Sequence, residues 1–146
     1  MFRILLLASV GLPLMSIQGC SAHRSATRAE GKLYAITERD FRISVAGVSV
    51  RPRVSSGDLR LMVSNRGPDT HELLVARMHG SRLPLRADGL TVDEDAVKPA
   101  TVATLDGGQP GSVRQLRLRL APGHYVLFCN MAGHYLGGMR TELVVQ

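Results

Sequence analysis

Three side chains that bind soft metal ions fall close together near the end of this 146-residue chain. The segment Cys129-Asn130-Met131-Ala132-Gly133-His134-Tyr135-Leu136-Gly137-Gly138-Met139 carries a thiol, an imidazole and a thioether. A second imidazole, His71, stands far upstream at the head of an apolar run. Sulfur donors combined with imidazole nitrogens select copper among biological metals. Two His and one Cys in a trigonal set, with a distant Met on the axis, make a blue-copper electron-transfer centre. The chemistry expected of His71, Cys129, His134 and Met139 is therefore that of one mononuclear copper ion.

Each of these residues, taken singly, has a plainer explanation. A His on an apolar strand is ordinarily a core histidine with a hydrogen-bond partner. A Met before an apolar strand is ordinarily packing. Their joint occurrence in this order, ahead of a terminal strand, argues for a metal instead. Zinc also accepts Cys and His, but structural zinc sites do not recruit a thioether. His124 lies on the opposite alternation phase from Cys129 and is expected at the surface. His79 and His23 fall in a loop and in a polar tether, and Met62 and Met78 do not cluster with the loop. Met131 is expected to join an apolar rim around the exposed edge of His134, as part of a docking surface rather than as a ligand.

The elements that must position these donors have period two. Phe41, Ile43 and Val45 alternate with Arg42 and Ser44; Leu59, Leu61 and Val63 with Arg60, Met62 and Ser64; Leu116, Leu118 and Leu120 with Arg117 and Arg119. His71, Leu73 and Val75 share a face, as do Tyr125, Leu127 and Cys129, and Leu143 and Val145 close the chain. This is strand alternation with one face buried and one wet. Turn signals at Ser56-Gly57-Asp58, Asn65-Arg66-Gly67-Pro68-Asp69 and Ala121-Pro122-Gly123 separate the runs. Many short strands with such turns predict an all-β antiparallel sandwich or barrel. The stretch from about Gly80 to Gly111, with three prolines and the acidic cluster Asp93-Glu94-Asp95, is open to a short helix or a strand in a long excursion. Gly133 is expected to turn the loop tightly before His134, and Gly137 and Gly138 to turn it again so that Met139 approaches axially.

The segment Pro122-Gly123-His124-Tyr125-Val126-Leu127-Phe128-Cys129, continuing through Gly133-His134 to Gly138-Met139, resembles the C-terminal copper loop of cupredoxins. It is most similar to forms with four residues between Cys and His and four between His and Met, as in auracyanin and sulfocyanin. Asn65-Arg66-Gly67 followed by His71-Glu72 resembles the upstream copper-His motif of the same group. The resemblance covers roughly Leu33 to Gln146. It implies a Greek-key β-sandwich, with Cys129, His71 and His134 as equatorial ligands and Met139 as the weak axial one. Where the family often carries Asn after the first His, this chain has Glu72. The backbone amide that would donate to the Cys sulfur survives that change, whereas the side-chain tie across the site is put in question.

Residues 1–19 have the form of a secretory signal: Arg3, then an apolar run broken by Gly11 and Pro13 and too short to span a bilayer. Ile17-Gln18-Gly19-Cys20 resembles the bacterial lipobox, which would make Cys20 the lipidated first residue of the mature chain. Residues 20–32 then form a tether, and 33–146 the domain. The alternative, a Cys20–Cys129 disulfide, would join a tail to the heart of the domain. With Cys20 lipidated, Cys129 is a lone thiol in an oxidising compartment, where a retained thiol is often a metal ligand. The net charge of +6 is spread over the chain, with no basic run interleaved with aromatics, so nucleic acid is not expected as a partner. The resulting expectation is a monomeric, lipid-anchored single-electron carrier of the cell envelope, not an enzyme, that meets a redox partner protein such as a cytochrome, oxidase or reductase. A copper-scavenging or metallochaperone role on the same scaffold is the alternative. It is disfavoured by the absence of a Met- or His-rich run.

Overall fold

Alternation of apolar and polar residues along an extended chain buries one face and wets the other. The computed structural model, which describes residues 31–78 and 82–146, follows that pattern. Among the described residues, nine strands form two sheets. The four-stranded sheet has the order β2 (Arg42–Val45), β1 (Lys32–Arg39), β4 (Gly57–Asn65), β7 (Val113–Leu120). The five-stranded sheet has the order β3 (Arg53–Val54), β9 (Arg140–Val145), β8 (Gly123–Phe128), β5 (His71–Arg77), β6 (Thr101–Gly108). The all-β sandwich expected from the sequence is present, but its pairing is mixed. β1 runs parallel to β4 and β3 parallel to β9, while the remaining pairs are antiparallel. The chain leaves the β1–β2 hairpin, crosses to the other sheet for β3, and returns beside β1 from the same end. Such a crossover makes parallel neighbours.

The sheets close on Ile36, Ile43, Leu59, Leu61, Val63, Leu73, Val75, Tyr125, Leu127 and Leu143, all buried. A fully buried Leu or Val contributes roughly 1.5–3 kcal/mol by leaving water. β8 differs from the alternating strands because both of its faces are covered. Tyr125 and Leu127 face the sandwich interior, while Val126 and Phe128 join a second cluster with Leu74, Val92, Val97 and Tyr135. The segment left open in the sequence supplies that cover. It contains a short helix, α1 (Glu94–Val97), capped by Asp93, followed by a 3-10 turn and then edge strand β6.

Cys20 and the targeting segment lie outside the described residues, as does His79. The strand begins at Lys32, one residue inside the expected tether. Phe41 corrects the expected buried row. It occupies the β1–β2 turn with φ at 59° and is 53% exposed, because the left-handed turn takes it out of phase with Ile43 and Val45.

Candidate metal centre

The two ends of β8 and β9 that meet in their hairpin register place Cys129 and Met139 side by side. The register runs from Gly123↔Val145 to Phe128↔Arg140, so the eleven-residue segment of interest closes the far end of this pair. The Cys129 N–H donates to the Met139 carbonyl at 3.1 Å, and the Met139 N–H to the His134 carbonyl at 2.9 Å. Gly133 and Gly138 adopt φ of 79° and 104°, the left-handed turns expected of this loop. Met139 is fully buried in the same cluster as Cys129. β5 pairs with β8 and opens on His71, which reaches the same end of the sandwich.

His71, Cys129 and His134 come together with one ligand atom from each, all within 4.8 Å of one another. Cys129 Sγ and His134 Nδ1 are 3.5 Å apart, and the two imidazole rings lie 5.1 Å apart by centroid. His71 is buried, and its Nε2 is 3.1 Å from Asp40 Oδ1. Its other nitrogen, Nδ1, is buried without a partner. A buried polar atom without a partner is costly, and here it belongs to a residue type and position that can take a metal. Burial, and then the neighbouring His134, hold the His71 imidazole below its ordinary pKa, which keeps it neutral and ligand-competent.

The pKa of the Cys129 thiol is pushed up by burial, a shift that the nearby backbone amides of Met131 and Glu72 oppose. The amide donor expected after His71 is thus present despite the Glu. The Glu72 carboxylate also makes a tie across the site, accepting from the Asn130 N–H at 3.1 Å. Burial raises its pKa, and the negative charge of Glu94 adds to the shift. Asn130 in turn is gripped by the excursion. Its amide group donates to Glu94 Oε1 at 2.8 Å and the Val92 carbonyl at 3.1 Å, and accepts from the Val92 N–H at 2.6 Å. Gly133 N–H donates to the Leu90 carbonyl, and Leu83 N–H to the Tyr135 hydroxyl. The excursion therefore braces the loop, a role that no local signal announces.

Two further residues shape the site from the β1–β2 turn. Asp40 holds His71. Phe41 packs edge-on against His134, with centroids 5.8 Å apart at 73°. Glycines make room for both. A Cβ on Gly67 would come within 2.6 Å of Asp40 Oδ1 and 2.7 Å of His71 Nε2, and one on Gly137 would strike the Phe41 ring. Met131 and Leu136, on either side of the half-buried His134 in the loop, are exposed, and Phe41 packs against the His134 ring. His124 is exposed, as expected.

No protein-family model and no curated protein matches the chain. Solved structures do share its fold. Dithionite-reduced auracyanin from the photosynthetic bacterium Roseiflexus castenholzii superposes with a TM-score of 0.59 at 18% identity, over 80% of this chain and 98% of that one. Auracyanin B gives a TM-score of 0.60 at 20% identity, over 80% of this chain and 90% of the other. Rusticyanin from Thiobacillus ferrooxidans gives 0.57 at 14% identity, over 80% and 79%. The fold is the cupredoxin β-sandwich that the sequence resemblance implied. The His71, Cys129 and His134 cluster, with Met139 nearby, fits a blue-copper site holding one mononuclear copper ion.

Proposed function

We propose that this cupredoxin domain is a single-electron carrier of the cell envelope rather than an enzyme. The Cys129 sulfur and the Nδ1 atoms of His71 and His134 would hold the copper, with the Met139 sulfur as a weaker donor. The observation that carries this reading is the buried, unpartnered Nδ1 of His71 in a residue clustered with Cys129 and His134. Copper bound by such a donor set supplies reversible one-electron chemistry.

The chain's own residues do the rest. Asp40 accepts the His71 Nε2 proton, which fixes the tautomer with Nδ1 free to coordinate. The Glu72 and Met131 amides stabilise negative charge on the Cys129 sulfur. The burial of Cys129, His71 and Met139 excludes water. His134 alone reaches the surface, inside the rim of Phe41, Met131 and Leu136, which makes it the electron port. The similar structures include auracyanin and rusticyanin in reduced forms, and rusticyanin as a copper protein, which supports the same reading here. Burial of three of the four donors favours retention of copper over its transfer.

The envelope placement rests on the signal and on Cys20. β1 lies parallel to β4, and β4 ends at Asn65 beside the site, so the chain enters at the opposite pole. A lipid on Cys20 would then tether the domain from the pole opposite the copper site, through residues 20–32. No helix among the described residues is long and apolar enough to cross a membrane.

The test is the colour and voltammetry of copper-loaded protein, with copper affinity measured in both oxidation states. An intense visible band, a reversible one-electron wave and retention of both Cu(I) and Cu(II) are expected. Tight binding of one state only, with ready loss to a chelator, would replace the carrier with a copper-handling protein. Intact mass of the native protein should show a lipidated Cys20; a soluble product cut elsewhere removes the anchor.

A further inference from the structure

A concavity lies on the outer face of the five-stranded sheet, and none of the four donors lines it. Its volume is about 280 Å³, close to the lower end of ligand pockets, roughly 300–1,000 Å³. The floor is apolar. Val126 and Tyr135 are buried members of the second cluster, and Leu83 packs against it. The walls are cationic, with Arg51, Arg82 and Arg140 all lining the cavity and Glu142 as the only acid among them.

The three guanidinium groups are not equally committed. Arg51 Nε donates to Glu142 Oε2 at 2.8 Å, which neutralises one charge. Arg140 is held in place without an acid: its Nη1 donates to the Tyr135 carbonyl at 2.5 Å, and its guanidinium sits 4.7 Å from the Tyr135 ring centroid. Arg82 makes no ion pair among the described residues. The pocket thus combines an apolar floor with two uncompensated guanidinium groups, one of them already oriented. Guanidinium recognises carboxylate and phosphate oxygens through paired N–H donors. Exposed charge alone binds weakly in water, so the apolar floor must contribute part of the affinity.

We propose that this pocket binds a small amphipathic oxyanion: a carboxylate or phosphate-monoester head set between Arg82 and Arg140, with a short apolar body against Leu83, Val126 and Tyr135. Nothing in this assignment depends on copper, so it stands or falls apart from the electron-carrier reading.

Calorimetric titration of the full-length protein with octanoate and with octyl phosphate tests it, beside octanol (body only) and inorganic phosphate (head only). Saturable binding of at least one octyl anion is expected, at least about tenfold tighter than either half alone, since a charge-assisted hydrogen bond is worth about that much. The bound anion should shift NMR signals of Leu83, Val126 and Tyr135. Which octyl anion binds more tightly identifies the head as carboxylate or phosphate. Arg82→Glu, at an exposed position with no ion-pair partner among the described residues, should weaken binding at least about tenfold while leaving the melting temperature unchanged. Arg82→Lys should retain part of the affinity. Octanol binding as tightly as octanoate would reduce the site to a greasy hollow, and phosphate binding as tightly as octyl phosphate would reduce it to surface charge. Either result overturns the proposal, as does octanoate binding unaffected by Arg82→Glu.

Discussion

The two histidines of the candidate copper centre sit in opposite surroundings. His71 opens a central strand, is sealed from water, and is fixed through Nε2 by Asp40 with Gly67 pressed against the contact. His134 lies in the loop, half-buried, with Phe41 against its edge and exposed Met131 and Leu136 around it. One side of the site is therefore built to hold and the other to be reached. A buried, hydrogen-bonded imidazole cannot rotate or admit water, which suits a permanent ligand. An imidazole whose outer edge meets an apolar rim offers an electron a short route out.

The substitution with the largest expected effect removes what both sides share. Cys129→Ser should abolish the visible band and cripple Cu(I) retention, as read by absorption and copper content, because the thiolate is the soft donor of the set. His71→Gly and His134→Gly should then separate the two sides. Added imidazole should restore the band to His134→Gly, whose gap opens to solvent, and not to His71→Gly. Equal rescue of both would erase the distinction between a sealed and an accessible side.

Glu38 sharpens the contrast from beneath the sealed side. It is fully buried on β1, pairs with Arg114 at 2.5 Å, and has one oxygen unpartnered. Burial drives its pKa from 4.5 up to about 7, against the attraction of Arg114 and with some help from Glu72. An acid whose folded pKa is raised binds its proton more tightly when folded. Its contribution is then complete below the unfolded pKa and is lost as pH rises through the folded one. Urea unfolding at about pH 4.5 and about pH 8 should show the parent losing roughly 3 kcal/mol relative to Glu38→Gln over that interval. An unchanged gap would mean that Arg114 keeps the carboxylate charged throughout.

Met139→Leu should keep copper and the blue colour and raise the reduction potential, while Met139→Gln should lower it by favouring Cu(II). Loss of copper as complete as in Cys129→Ser would deny Met139 its weak role. The smallest effect on stability is expected from Phe41→Ala, about 1 kcal/mol for the lost ring contact. Electron self-exchange should nonetheless slow, because the rim around His134 is broken. Unchanged exchange would move the port elsewhere.

The donor set was legible in the sequence because ligand chemistry is a property of residue type, and the Cys–His–Met spacing compresses three donors into one loop. The strands were legible because period-two alternation is local: Leu59, Leu61 and Val63 are buried as their phase required. Phe41 misled for the same reason. It continued the phase of Ile43 and Val45, and only its left-handed turn conformation took it out. β6 stayed undecided between helix and strand because an edge strand beside β5 has weak burial contrast, with Val102 exposed and Ala103 and Leu105 only half-buried.

By itself, then, the amino-acid order determined which residues could bind copper, which runs could be strands, and where the loop could bend. Tertiary structure alone decided that Asp40 would orient His71, that Glu72 would tie to the Asn130 amide, and that the 82–100 excursion would brace the copper loop. It also decided that Arg51, Arg82 and Arg140 would line one pocket. The physical reason is range. Alternation and turn chemistry act between neighbours in the chain, whereas these contacts join residues 31 to 91 positions apart, and form only once the two sheets have closed.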